Sequence, residues 1–302
     1  MWNYGKQALL ALRPLTAASL RSASFHPMRI STTTAAPVFR LLGTVSVLAL
    51  VVLLPTLAND EPPKPSDLTG LHIALDVGHS LSKPGAISAR GQVEFVFNQG
   101  TARVIAGVLR SAGAKVTILN EDGTITGLAE RPQLAARAGA DAFISIHHDS
   151  VNDKYLKTWD HQGQTLAYCD RFSGYSVFCS ELNLRAAQSR NLALEAGKAM
   201  LAAGFKPTLH HHEPIAGENR PLIDESTGVY EFTELVVAKS GKLPSILLEC
   251  GVIVHRDEEL IVQTVQYQTR IGHALVAALA SARDQKIIGR HRLRLPSWNA
   301  PH

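Results

Sequence analysis

The chain alternates between short, nearly continuous apolar runs and longer stretches in which apolar residues recur every three to four positions. LHIALDV (71–77) is apolar and closed by Gly78, which predicts a buried strand. Residues 94–113 then place Phe97, Ala102, Ile105, Val108 and Leu109 on one side of a helix that ends at Gly113. AKVTILN (114–120) predicts a second strand, 128–139 a second helix and DAFISIHH (141–148) a third strand. A long Ala/Leu-rich helix covers 182–203, SILLECGVI (245–253) is a further strand, and 257–283 forms the last helix. This alternation predicts an α/β fold: a single three-layer domain over 70–285, its mostly parallel twisted sheet covered by helices on both faces.

Two stretches interrupt the alternation. Residues 149–181 are polar and contain Gly163 and Gly174, and residues 204–240 contain HHHEP and GENRPLIDESTG. Long loops inside a compact α/β domain are usually functional. Ahead of the domain lies an extension, 1–58, whose last part, 41–58, carries no charge, follows Arg40 and ends in Thr56-Leu57-Ala58. That pattern predicts a signal peptide with its cleavage site, an uncleaved membrane anchor being the alternative at this length. A start at Met28 would give a charged leader segment of ordinary size. Residues 59–69 are a Pro-rich, charged linker, and 286–302 form a basic tail outside the core.

In a parallel sheet, functional groups gather beyond the carboxyl ends of the strands. His79 follows the first strand, His147 closes ISIH, Glu249 stands near the end of SILLE, and Glu94 opens the first helix. Two histidines and one glutamate can hold a zinc ion and leave a position open for water. A further carboxylate then has to take the water's proton and deliver it to a leaving amine, and Glu249 is placed for that role. A histidine at a strand end is also often no more than a satisfied polar group, and the residues by themselves leave both readings open.

The run 71–283 resembles the zinc-dependent N-acetylmuramoyl-L-alanine amidases, the type-3 amidase domain of cell-wall hydrolases. IALDVGHSLSKPGA is similar to the family's opening strand and glycine-rich loop, GQVEFVFN to its zinc-glutamate segment, LAERPQLAARAGADAFISIHHDS to its second histidine strand, and LPSILLECGVIVHRDEELI to its closing strand. The resemblance implies one Zn2+ per chain on His79, Glu94 and His147, with Glu249 catalytic. It implies peptidoglycan as substrate, cut between N-acetylmuramic acid and L-alanine of the stem peptide, and a periplasmic or exported location. Some family members carry an inserted helix that covers the site until a protein activator moves it; the helix at 182–203 lies where such a device would be, the alternative being an ordinary layer of the fold. A zinc peptidase acting within the stem peptide and a non-catalytic peptidoglycan-binding module are the alternatives. The sequence departs from the family at His148 and Asp149, where a small residue and asparagine are usual, and in the turn VIVHRDEE.

Other residues have milder readings. Asp76 shares strand-face parity with Gly78 and is expected to accept hydrogen bonds behind the ligands. Arg131 is expected to hold a helix start or a carboxylate. His148 points to the face opposite His147, in a supporting or surface role. Of His210, His211 and His212, the candidate for a substrate contact is His211; Glu218 and Asp224 are further loop carboxylates. Glu258 and Glu259 suit the first turn of the last helix. The 45% hydrophobic content supports a sizeable core, and the net charge of +4 comes with no finger, RNP or helix-turn-helix signature. Nucleic acid is therefore not an expected partner, and membrane contact is expected only through the 41–58 segment. No C-x-x-C occurs, which argues against a zinc ribbon. Cys169 and Cys179 stand ten apart in a loop-like stretch and could form a disulfide in an oxidising compartment, while Cys250 reads as a small buried hydrophobe.

Overall fold

The computed structural model describes residues 67–289. The uncharged run 41–58, Met28, most of the linker and the tail beyond Gly289 lie outside the described residues. In chain order the elements are β1 (His72–Val77), α1 (Glu94–Ser111), β2 (Lys115–Leu119), α2 (Glu130–Arg137), β3 (Ala142–Asp149), β4 (Lys157–His161), β5 (Gln164–Tyr168), β6 (Ser176–Cys179), α3 (Ala186–Ala202), β7 (Leu222–Asp224), β8 (Val229–Glu231), α4 (Val236–Lys239), β9 (Ser245–Val252), α5 (Glu258–Val262) and α6 (Val265–Asp284). Seven strands form one sheet in the order β2-β1-β3-β9-β6-β8-β7. β2, β1, β3 and β9 run parallel, as do β6 and β8, whereas β6 is antiparallel to β9 and β7 to β8.

The two-residue period of the strands sorts their side chains into two layers. Ile73, Leu75, Val77, Ile144, Ile146 and Leu248 enter a core shared with α1, α3 and α6. Ala74, Phe143, Phe178 and Leu247 face the opposite way, into a smaller core with Ala135 of α2 and Val237 of α4. The central strands β1, β3, β9 and β6 are buried on both faces, which explains their near-continuous apolar runs. The packed body also exceeds the expected 70–285 limits: Leu68, Ile287 and Ile288 are buried in the main core.

The polar region 149–181 is more structured than its composition suggests. It contains the β4–β5 hairpin, joined by Gln162 and Gly163 at φ 53° and 77°, and the buried strand β6, which lies between β9 and β8 in the sheet. Two consecutive positive φ values are what a two-residue hairpin turn needs, but Gln162 is a weak sequence signal for one. The helix at 182–203 is α3, and its Leu192, Ala193, Ala196 and Met200 are core residues. It packs as an ordinary layer of the fold, which favours that reading of 182–203 over an inserted cover. The expected last helix is broken in two by Thr264, whose side chain accepts from Tyr267 N to start α6. All three cysteines are free. The expected bridge does not form because Cys179 packs into the main core on β6, while Cys169 belongs to a separate cluster with Val252 and Val254. Among the described residues no helix is long and apolar enough to cross a membrane.

α1 and α6 meet closely at Gly272, where a Cβ would lie 2.8 Å from Cβ of Val108. Overpacking of this kind costs about 1–3 kcal/mol. Gly272→Val is therefore expected to lower the unfolding free energy by an amount in that range, seen in urea as a lower midpoint at unchanged m-value.

Candidate metal centre

β1 and β3 are hydrogen-bonded neighbours, so the residues after Val77 and Ile146 emerge side by side: Val77 pairs with Ile146, and Gly78 N donates to Ile146 O at 3.0 Å. His79 comes from the turn after β1, His147 from the end of β3, and Glu94 from the first residue of α1. His79 Nε2 lies 2.9 Å from Glu94 Oε2, and His147 Nδ1 lies 3.1 Å from Glu94 Oε1. One ligand atom from each falls within 4.8 Å of the other two. Glu94 is 1% exposed, while the His79 and His147 side chains keep 19% and 12%, so the group opens to solvent on its histidine side.

Close packing is possible only because two residues lack side chains. A Cβ on Gly78 would stand 2.3 Å from His147 Nε2, and one on Gly85 2.4 Å from Glu94 Oε2. Gly85 also has φ 85°, in the region that favours glycine. His79 itself occupies that region, at φ 67°, and is held there from behind. Asn120 Nδ2 donates to Val77 O and His79 O, each at 2.7 Å, and Arg131 donates to Val77 O, His79 O and Ile125 O.

Glu94 accepts hydrogen bonds on both oxygens. Ala86 N donates to Oε2 at 3.1 Å; Asn98 Nδ2 and His148 N donate to Oε1 at 3.1 and 3.2 Å. Burial alone would raise its pKa, but the facing histidines outweigh it and hold the carboxyl well below the ordinary range. Burial lowers the His147 pKa; at His79 the same effect is outweighed by Glu94, and the pKa is raised.

Behind this group Asp76, fully buried on β1, accepts from Ser145 Oγ at 2.7 Å and faces Arg131 Nη1 at 3.4 Å. Burial keeps its carboxyl above the usual value despite Arg131. Asp76 thus anchors the arginine that fixes the His79 turn. His148 is beneath α1, 1% exposed, with Nδ1 2.9 Å from Asn98 Oδ1, and burial pushes its pKa down to about 3. A surface place for His148 is excluded.

Glu249 lies beside His147 in the β3–β9 register and is 6% exposed. Its Oε2 has no hydrogen-bond partner among the described residues. Burial, with Asp149 and Glu94 nearby, raises its pKa well above the ordinary value. The donor set of two imidazoles and a carboxylate, the glycine clearance around it and an orphaned buried carboxylate oxygen next to it all fit a bound zinc ion.

His211 is fully buried, with Nε2 2.7 Å from Asp149 Oδ2 and Nδ1 2.9 Å from Glu218 Oε2. Burial therefore corrects the expected substrate contact: His211 has none of its surface left for one. Asp224 accepts from Ser226 N and Oγ in a turn. Glu258 accepts from Gly174 N and Val252 N, and Glu259 from Ser88 Oγ and Arg90, so both tie separate loops together beyond any helix-dipole role. The Asp149–His211–Glu218 contact escaped sequence reasoning because 62 residues separate its first two members; the departure to Asp149 and the HHH run were its only signals.

Residues 73–281 match the family model Amidase_3, N-acetylmuramoyl-L-alanine amidase. The chain is 24% identical over 263 residues to N-acetylmuramoyl-L-alanine amidase AmiA of Escherichia coli (strain K12), covering 79% of this chain and 86% of the relative. It is 24% identical over 232 residues to AmiA of Salmonella typhimurium, covering 69% and 75%. Among solved structures, the amidase Ami1 from Mycobacterium smegmatis superposes with a TM-score of 0.57 at 18% identity, over 73% of this chain and 100% of that one. An amidase from Clostridium difficile 630 gives 0.55 at 19%, over 72% and 99%. These two likenesses establish the fold.

Removing one member of a buried ion pair is strongly destabilising, about 3–5 kcal/mol. The Asp76–Arg131 distances are long, so the lower end applies. Arg131→Met is expected to cost about 3 kcal/mol in denaturant unfolding, and Asp76→Asn in the same background to return part of it by removing the stranded carboxylate.

Proposed function

The chain belongs to the N-acetylmuramoyl-L-alanine amidase family and is a hydrolase of that type, and from that premise we propose how its own residues cut peptidoglycan. The bond is the amide between the lactyl group of N-acetylmuramic acid and the L-alanine that opens the stem peptide. His79, Glu94 and His147 hold one zinc ion. When bound, zinc lowers the pKa of a water to about 7 and polarises a carbonyl oxygen. The observation that carries this reading is the Glu94 carboxylate bridging His79 and His147 with Glu249 in register beside them.

Glu249 accepts the proton of the attacking water and passes it to the amine nitrogen of L-alanine as that bond breaks, so the proton account closes on one residue. Burial raises its pKa, which favours uptake of the water's proton. Asn98 and His148 hold Glu94 in place, and Asp76, Asn120 and Arg131 hold the His79 turn. Each of them acts on the ligands through position.

Export to the periplasm or beyond is part of the same proposal and rests on the uncharged run 41–58, since the polymer it cuts lies outside the cytoplasm. With α3 built into the sheet's cover, the element that suggested a protein activator no longer supports one.

Glu249→Gln is expected to keep zinc, measured by equilibrium dialysis, while slowing release of free stem peptides from purified peptidoglycan by about 10²–10⁴-fold. Unchanged release would remove Glu249 from the mechanism. Mass analysis of the soluble products separates the bond proposed here from a cut within the stem peptide, which would leave L-alanine on the glycan.

A further inference from the structure

A second cluster repeats the construction of the first, and the chemistry above makes no use of it. Asp149 ends β3, and His210 and His211 follow Thr208 on the loop after α3. One ligand atom from each lies within 4.8 Å of the others, and all three residues are buried. Both imidazoles turn Nε2 to the same oxygen: His211 Nε2 is 2.7 Å and His210 Nε2 3.4 Å from Asp149 Oδ2. Both are held from behind through Nδ1, His211 by Glu218 Oε2 at 2.9 Å and His210 by Thr208 Oγ1 at 2.8 Å. Fixing one ring nitrogen to a carboxylate or hydroxyl is how proteins orient a ligating histidine.

A simple polar lock accounts for His211, an imidazolium gripped between two carboxylates. It does not account for His210. That ring is 2% exposed, and its Nε2 has no hydrogen-bond partner among the described residues. The Ser150 backbone also interacts with this ring, and burial pushes its pKa down to about 4. With the proton on Nδ1, bonded to Thr208, a bare lone pair faces a carboxylate oxygen. With the proton on Nε2, a buried donor is left without an aligned acceptor. Either arrangement is unfavourable, and a cation between Nε2 and Asp149 removes the conflict.

We propose that Asp149, His210 and His211 bind a second divalent cation of the zinc class, which pins the loop after α3 to the end of β3. Two imidazoles and a carboxylate suit zinc better than calcium or magnesium, which take oxygen ligands. The ion takes the place of the proton on His211 Nε2, which leaves to solvent, while Nδ1–H stays on Glu218. Full burial gives the ion no path to substrate, and its role is structural.

The test counts metal on the full chain. After saturation with zinc and removal of loosely held metal, elemental analysis is expected to find two zinc ions per chain. His210→Ala and His79→Ala should each leave one, and the double variant none. Two ions retained by His210→Ala would overturn the assignment. So would one ion in the unaltered chain that His79→Ala abolishes. One ion that survives His79→Ala and is lost with His210→Ala would uphold the second site while sinking the first. Should His210→Ala fail to fold, the count on the unaltered chain together with His79→Ala still decides.

Discussion

The structure turns on a carboxylate placed where a carboxylate is hardest to keep. Glu94 is buried at the first residue of α1, directly beyond the ends of β1 and β3. A buried charge persists only when hydrogen bonds and opposite charge repay its lost hydration. Here three donors and two histidines do so, and the helix N-terminus adds its own positive field. Each of those partners sets a demand elsewhere. Ala86 N reaches Glu94 only through the turn at Gly85; His147 fits only over Gly78; Asn98 is steadied by His148. The parallel register of β1 and β3 then brings both histidines to one carboxylate, and that of β3 and β9 adds Glu249.

That dependence explains which parts were legible in the sequence. Strands buried on both faces write themselves as apolar runs, so β1, β3 and β9 could be read, and with them the sheet edge that gathers His79, His147 and Glu249. Glu94 could be placed because a helix start is recognisable. Asp76 and Arg131 were legible in kind, as a carboxylate and a cation behind the ligands. Their mutual contact was not, because 55 residues separate them.

The span from Asp149 to Pro244 was read least well, for three physical reasons. β7 and β8 are three residues each, too short to show a period. The β4–β5 hairpin buries little and depends on a turn with an unusual residue, Gln162. α3 is a good helix by composition, but composition does not say whether its apolar side meets a sheet or a partner. Leu192, Ala196 and Met200 in the main core settle that. Glu258 and Glu259 show the same limit from the other side: a favourable place near a helix start hid the loop amides and Arg90 that they bind.

The end of β3 carries three consecutive polar residues into three environments. His147 faces Glu94, His148 goes under α1, and Asp149 meets His211. Alternation separates His147 from His148, and it would return Asp149 to the face of His147. The β3–β9 register shift between His147 and Asp149 changes that relation locally. Bulges of this kind re-aim side chains next to functional sites. The bulge lets Asp149 serve the loop after α3 while His147, two residues away, remains with Glu94. It also leaves Asp149 near enough to Glu249 for its charge to help raise that carboxyl's pKa. Asp149 thus bears on two things at once, the anchoring of a long loop and the proton affinity of Glu249.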